Sequence, residues 1–543
     1  EDGTLVWNYS GHGGSVALAD EKILTNEDIQ GLFNPDTLPI FVTATCSFGR
    51  YDLVDAQSGA ELLVLNPEGG GVAALTTVRL VYASSSPDDY NLGLNVELNR
   101  WLLSRDASGR PRRIGEAYRL TKASDAGAQG NNRKFNFLGD PAMRVGLPER
   151  EVAITAVNGE ALPSDGEPPT RAAGGTGLPT LQALERATLS GEVRRTDGSL
   201  DAAFNGEVEF LVYDAARGIP IPEPPPGEPS SFEQPCRYLS GQDCTYEVRS
   251  DLIYRGRASV TNGAFSAEFI VPRDISYANE PGRIAAYVAS GSGLDGLGYT
   301  ERVVVGGASA NPITDTEGPR VRLFLNDTTF VSGGLVGTRP VLVAKLSDEN
   351  GINAAGAGVG HELLLTLDGP EAEAIDVGRY YRADLDSYRS GVVRYTLPEQ
   401  TPGPHALTLR AWDVANNSAV ASLDYYVEAD DRLVLRHVYN YPNPTTGPTR
   451  FAFEHNQPVG TPARIQLRIY TLSGRPVRTL DGAETLPEGA LTGAVVQIPW
   501  DGHDEDFDRL ATGVYLYKVR VEVDRPDGTT EVSEQVERLA VIR

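Results

Sequence analysis

The sequence predicts a multidomain protein: one α/β domain followed by several all-β sandwich domains. Three observations predict it. At 543 residues the chain is too long for a single core, since domains run to roughly 100–200 residues. Residues 1–148 alternate apolar, β-rich runs with segments of helical spacing, the pattern of a parallel sheet with crossover helices. From residue 186 onward the pattern becomes short alternating strands broken by turns, as in antiparallel sandwiches.

In the first region, strands are expected at 4–9, 38–46 and 71–79, and helices near 56–66, 90–104 and 111–123. The second helix carries Leu94, Leu98, Trp101 and Leu102 at helical spacing. Pro111 is expected near the first turn of the third, where a missing N–H costs nothing. Residues 149–185 mix short apolar segments with Pro, Gly and Ser and read as a linker. Three β regions follow, at 186–312, 313–430 and 431–543.

Composition excludes several classes. Lys and Arg number 48 against 74 Asp and Glu, a formal net charge of −26. Nucleic-acid binding needs clustered cations, so the balance argues against it and suits a solvated surface outside the cell. No apolar run reaches the 18 residues a spanning helix needs. The chain opens almost at once into a strand, and it is expected to be the C-terminal part of a longer one.

Two short stretches carry chemistry. Leu5–Gly14 is an apolar run ending in one histidine and glycines, and Thr37–Gly49 is an apolar run ending in one cysteine before a glycine. His12 and Cys46 are 34 positions apart, the length of one strand–connection–strand excursion. Adjacent parallel strands would then bring both to the edge where open α/β sheets place reactive groups. A thiol attacks an acyl carbon as thiolate or with a nearby base, and histidine titrates in the right range. The glycines after His12 let backbone N–H groups approach a carbonyl oxygen and form an oxyanion hole. The plainer reading is a buried thiol and a structural histidine, and spacing alone does not choose between them.

The remaining cysteines, Cys236 and Cys244, share one loop and are the disulfide candidates in an oxidising compartment. No cofactor is required. A structural calcium is weighed at Asp348–Asn350 and Asp501–Asp506 against the reading of both as solvated turns. His361, His405, His437, His455 and His503 are scattered over β regions and read as structural. Arg79 is read either as a partner for an acidic substrate group or as a strand residue facing solvent. The glycine run Gly69–Gly71 lacks the Lys-Ser/Thr of a phosphate loop.

His-Gly after one apolar strand and Ala44-Thr45-Cys46 after a second resemble the caspase–legumain–gingipain clan of cysteine peptidases. Ser10–Gly14 and Phe137–Ala142 resemble the gingipain family in particular. That resemblance implies a caspase/gingipain-like catalytic domain, present in part, with His12 as general acid/base and Cys46 as nucleophile. The N–H groups of Gly13 and Cys46 would form the oxyanion hole. The acidic residue that orients the family's histidine would fall before Glu1. Gly256–Phe265, Phe269–Tyr277, Asp348–Asn353, Leu367–Gly369 and Ala411–Ser418, in that order, resemble the gingipain-like sortases of type IX secretion systems. Tyr439–Pro444, Ile469–Arg475, Trp500–Gly502 and Gly513–Tyr517 are similar to the Ig-like C-terminal sorting domains of type IX cargo.

The resemblance therefore implies a cell-surface endopeptidase or transpeptidase held peripherally at the outer membrane of a Gram-negative bacterium. Its implied partners are secreted cargo with C-terminal sorting domains, an outer-membrane β-barrel shuttle that docks the last domain, and a lipopolysaccharide amine acceptor. An ordinary secreted gingipain-like protease is the alternative within the class. A non-catalytic adhesin or scaffold on a degenerate peptidase domain is the alternative outside it.

Overall fold

The computed structural model describes residues 3–542 apart from 21, 83–89, 125–129, 164–176, 221–244, 250, 357–359, 370–372, 429–432, 458–459, 487–488, 492, 494 and 526–527. The chain divides into two compact units, Glu1–Glu149 and Arg150–Arg543.

The first unit is a four-stranded sheet between helices. Its strands are β1 (Val6–Ser10), β2 (Ile40–Ala44), β3 (Ala73–Thr77) and β4 (Phe135–Gly139), side by side in that order. β1, β2 and β3 run parallel, while β4 is antiparallel to β3. The expectation of a parallel sheet therefore holds for three strands and fails at the fourth. Two crossovers join the three parallel strands, and a 3₁₀ turn, Asn132–Lys134, leads directly into β4.

Every residue of β2 and β3 is buried, as expected of central strands covered on both faces. Alternation assigns the faces. Ile40, Val42, Ala73 and Leu75 pack with Leu98 and Leu102 of α3 (Tyr90–Leu102) and with Ile114 and Ala117 of α4 (Ile114–Ala123). Phe41 and Ala74 face the other way, onto Ile29 of α1 (Asn26–Gln30) and Ala60 and Leu63 of α2 (Gly59–Leu65). Both short helices begin in capping boxes, Thr25 with Asp28 and Ser58 with Glu61, which satisfy N–H groups the first turn leaves open. α4 starts at Ile114. The helix expected near 111–123 thus begins three residues later, and Pro111 lies just before its first turn, in a bridge with Arg105.

The second unit is built of β-sandwich modules. The stretch 149–185, read as a linker, supplies strands instead. Arg150–Val157 lies inside the first large sheet between Asp295–Thr300 and Arg186–Arg194, and Thr180–Ala183 pairs with Val304–Ala308. Val152, Val157 and Leu181 are buried there. The turn-forming residues that separate these strands hid their alternation. Two further pairs of sheets follow, over Arg320–Val427 and Leu435–Val541, each around its own apolar cluster. Tyr388 and Val414, although distant in sequence, belong to the core cluster of the first module.

Candidate active site

β1 and β2 are paired in parallel register, ending with Ser10 beside Ala44. The Gly11 N–H extends the pairing by donating to the Ala44 carbonyl at 3.2 Å. His12 and Cys46 each lie two positions beyond the last registered pair, so the sheet delivers both from the C-terminal end of neighbouring strands. His12 is exposed and Cys46 half-buried as a free thiol.

The backbone around His12 is fixed from two sides. The Tyr9 hydroxyl donates to the His12 carbonyl at 2.6 Å, and the Ala19 N–H donates to the same oxygen at 2.9 Å. Gly11 and Gly13 are required by close approach. A Cβ on Gly11 would lie 2.5 Å from the Tyr9 hydroxyl, and one on Gly13 2.4 Å from the Thr45 hydroxyl. Among the described residues the His12 ring has no hydrogen-bond partner, so no carboxylate orients it there.

The chain turns sharply after Cys46. Ser47 has φ = +56°, a left-handed conformation uncommon for a side-chain-bearing residue. The turn is tied to the segment that continues β3. The Ser47 N–H donates to the Arg79 carbonyl at 3.3 Å and the Gly49 N–H to the Thr77 carbonyl at 2.8 Å. The Thr77 hydroxyl donates to the Thr45 carbonyl. Beyond β3 the chain passes Cys46 itself, and the Val81 N–H lies 3.5 Å from its sulfur. Tyr82 is anchored by buried Asn131, which accepts from the Tyr82 N–H at 2.9 Å and donates to its carbonyl at 2.6 Å.

Two N–H groups point to chemistry at this edge. Among the described residues, neither the Gly13 nor the Cys46 N–H donates to another protein group. Unpaired donors beside a nucleophile are what an oxyanion hole requires. Arg79 is committed elsewhere. It grips Asp52 with two bonds of 3.1 and 2.6 Å, and this hydrogen bonding holds the Asp52 carboxyl below its ordinary value. Its charge is therefore balanced within the unit.

Cys236 and Cys244 lie outside the described residues. Four scattered histidines have carboxylate neighbours. His361 lies 2.6 Å from Asp274, His405 2.7 Å from Asp368, His437 2.9 Å from Glu454 and His503 3.2 Å from Asp501. His455 is buried. At the first calcium candidate, Asp348 meets Asp315 and Asp413, with carboxylate oxygens within 4.8 Å of one another. Burial, reinforced by the Asp413 and Asp315 charges, pushes the Asp348 carboxyl up to about 6. At the second, Asp504 Oδ1 accepts the N–H groups of Asp506 and Asp508. Only Asp348 of the three-carboxylate cluster was flagged in the sequence, because the other two come from distant segments.

An open sheet that ends neighbouring strands in a histidine and a cysteine, beside free N–H groups, is the framework of a cysteine peptidase unit. Residues 1–146 match the model of peptidase family C25. The N-terminal unit is thus similar to peptidase family C25, the gingipain family of cysteine peptidases. Among solved structures, dimeric latent PorU from Porphyromonas gingivalis is 26% identical, covering 87% of this chain and 41% of its own, with a TM-score of 0.33. The chain therefore spans less than half the length of that protein. A structure described as a protease is 15% identical over 55% of this chain and 54% of its own, with a TM-score of 0.20. SGBP-B of the Bacteroides ovatus mixed-linkage glucan utilization locus, in complex with a mixed-linkage heptasaccharide, is 12% identical over 72% of this chain and 70% of its own, also at 0.20. No curated protein matches the chain significantly.

Proposed function

We propose that the chain is part of an exported cysteine endopeptidase that works at the cell surface as a sortase. It cuts near the C-terminal sorting domain of secreted cargo and passes the cargo to an amine of a lipopolysaccharide-linked acceptor. The observation that carries this reading is the registered β1–β2 pair that leads into His12 and Cys46, with the Gly13 and Cys46 N–H groups unengaged among the described residues. In the reaction, Cys46 Sγ bonds to the scissile carbonyl carbon as His12 takes the thiol proton. The carbonyl oxygen becomes an oxyanion held by the two N–H groups. Collapse breaks the C–N bond, and His12 gives the proton to the departing amine. The acceptor amine then attacks the thioester, forming an amide and returning the thiol.

The β modules support delivery rather than chemistry. The last one resembles the Ig-like cargo sorting domains, and we propose that it docks on an outer-membrane β-barrel shuttle. Among the described residues no helix is long and apolar enough to cross a membrane, so attachment through a docked partner is consistent with the chain. A hydrolytic protease is the second reading. It is favoured by the exposure of the His12 ring, which leaves room for water to reach a thioester.

The test is intact mass spectrometry of the protein and its Cys46→Ala variant, with a purified cargo sorting-domain substrate and an amine acceptor. A cargo–acceptor adduct that requires Cys46 is expected. Cys46-dependent cleavage giving only hydrolysed cargo would replace the sortase with the protease. No cleavage by a folded wild type would remove both.

A further inference from the structure

We infer that Thr77 is a positioning residue for acyl transfer, acting through the peptide group between Thr45 and Cys46; this rests on the peptidase reading above. The Thr77 hydroxyl donates to the Thr45 carbonyl. That carbonyl and the Cys46 N–H belong to one planar peptide unit, with the two groups pointing in opposite directions. A hydrogen bond at the oxygen end therefore fixes the direction of the N–H at the other end. It also polarises the unit, because hydrogen bonds in a chain strengthen one another in a buried environment. The N–H so aimed is one of the two donors free to meet an oxyanion.

Three further contacts hold the residues around that peptide unit. The Thr77 carbonyl accepts the Gly49 N–H at 2.8 Å, closing the far side of the cysteine turn. Thr45 and Thr77 are both fully buried, so water does not compete for the bond. Among the described residues the Thr45 hydroxyl is buried without a partner, and it lies 2.4 Å from where a Cβ of Gly13 would be. Thr45 therefore packs directly against the residue that carries the second donor. Thr43 and Thr76, joined by a 2.5 Å hydroxyl contact, extend this buried layer along β2 and β3. A purely structural clamp on the turn would need only the Gly49 and Ser47 bonds. The Thr77 hydroxyl adds the one bond that reaches the Cys46 peptide itself.

Two small reagents separate the two roles without knowledge of peptide specificity. p-Nitrophenyl acetate acylates a thiol through an oxyanion: the S–C bond forms, the C–O bond breaks, and p-nitrophenolate leaves. Iodoacetamide alkylates by direct displacement of iodide, with no oxyanion. Both rates are measured on the full chain, with Cys46→Ala as the blank and intact mass to count adducts. Removing an oxyanion donor outright costs on the order of 100- to 1000-fold, so loss of aim in Thr77→Val is expected to slow acylation about tenfold. Alkylation is expected to change less than about twofold, and Thr77→Ser to restore acylation.

Should Thr77→Val not fold, Thr77→Cys, with its weak donor, takes its place and is expected to fall below Thr77→Ser. Acylation and alkylation falling together, or neither moving, would overturn the assignment. A folded wild type that acylates no faster than Cys46→Ala would instead overturn the peptidase reading, and the assignment with it.

Discussion

At residue 13 a Cβ would lie 2.4 Å from the Thr45 hydroxyl and 3.2 Å from Leu18 Cδ2. Gly13→Ala must therefore push β1 away from the end of β2 or force Thr45 aside, at a cost of about 1–3 kcal/mol for overpacking. The unit should still fold, with a lowered melting temperature, while thiol acylation by p-nitrophenyl acetate drops about tenfold, because the shift that relieves the clash moves the residue-13 N–H away from the oxyanion. Alkylation of Cys46 should persist. Equal loss of both rates would show that Gly13 serves the fold alone. Much of this site is legible at residue scale. An apolar run that stops at a lone histidine or a lone cysteine announces a strand end with a reactive side chain on it. What is not legible is the support. Thr77 and Thr45 are 32 positions apart, and no local pattern says that one hydroxyl reaches the other's carbonyl.

Among the elements, the connections that gather Asp315, Asp348 and Asp413 show how a loop between strands acquires a titration of its own. Asp348 accepts the N–H groups of Asn350 and Gly351 at 2.7 and 3.0 Å, yet burial and the two neighbouring carboxylates outweigh those bonds. Its folded value of about 6 exceeds the ordinary 3.8. The folded state thus binds more protons than the unfolded state between these values, and the stability this group contributes is present below pH 4 and lost as pH rises through 6. Asn at this position keeps an acceptor and never ionises. Asp348→Asn should therefore melt above the wild type at pH 7 and with it below pH 4, as followed by circular dichroism. A variant that melts lower at pH 7 would show that the charge stabilises the loop.

The elements themselves were unevenly visible. Leu94, Leu98 and Leu102 announce α3 by their spacing, and all three are buried. Arg150–Val157 and Thr180–Ala183 are not legible as strands because their partners lie in other segments and the residues between them are rich in proline, glycine and serine. The reversal at β4 was missed because direction is a property of pairing, not of the strand's own residues.

For the molecule as a whole, sequence periodicity announced an α/β unit followed by β modules but not how the modules meet. Residues 186–312 and 313–430 do not meet as two beads. Tyr388 and Val414 pack into the first module's core. Asp386 accepts the Ser259 N–H at 2.7 Å and the Ser259 hydroxyl at 2.6 Å, and the Arg273 N–H donates to the Val414 carbonyl at 2.8 Å. Truncating a buried aromatic costs about 3–5 kcal/mol, and here the loss falls on both modules. Tyr388→Ala is expected to split one calorimetric unfolding transition over this region into two. A single transition merely shifted downward would show that the modules are coupled elsewhere.

The shared core also has a mechanical meaning. Two sandwiches joined by a string stretch and swivel independently, whereas two that own common core residues behave as one beam. Pulled from its ends, this part of the chain should rupture in a single event. A torque applied to one module should be carried to the other through Tyr388, Val414 and the Asp386–Ser259 bonds.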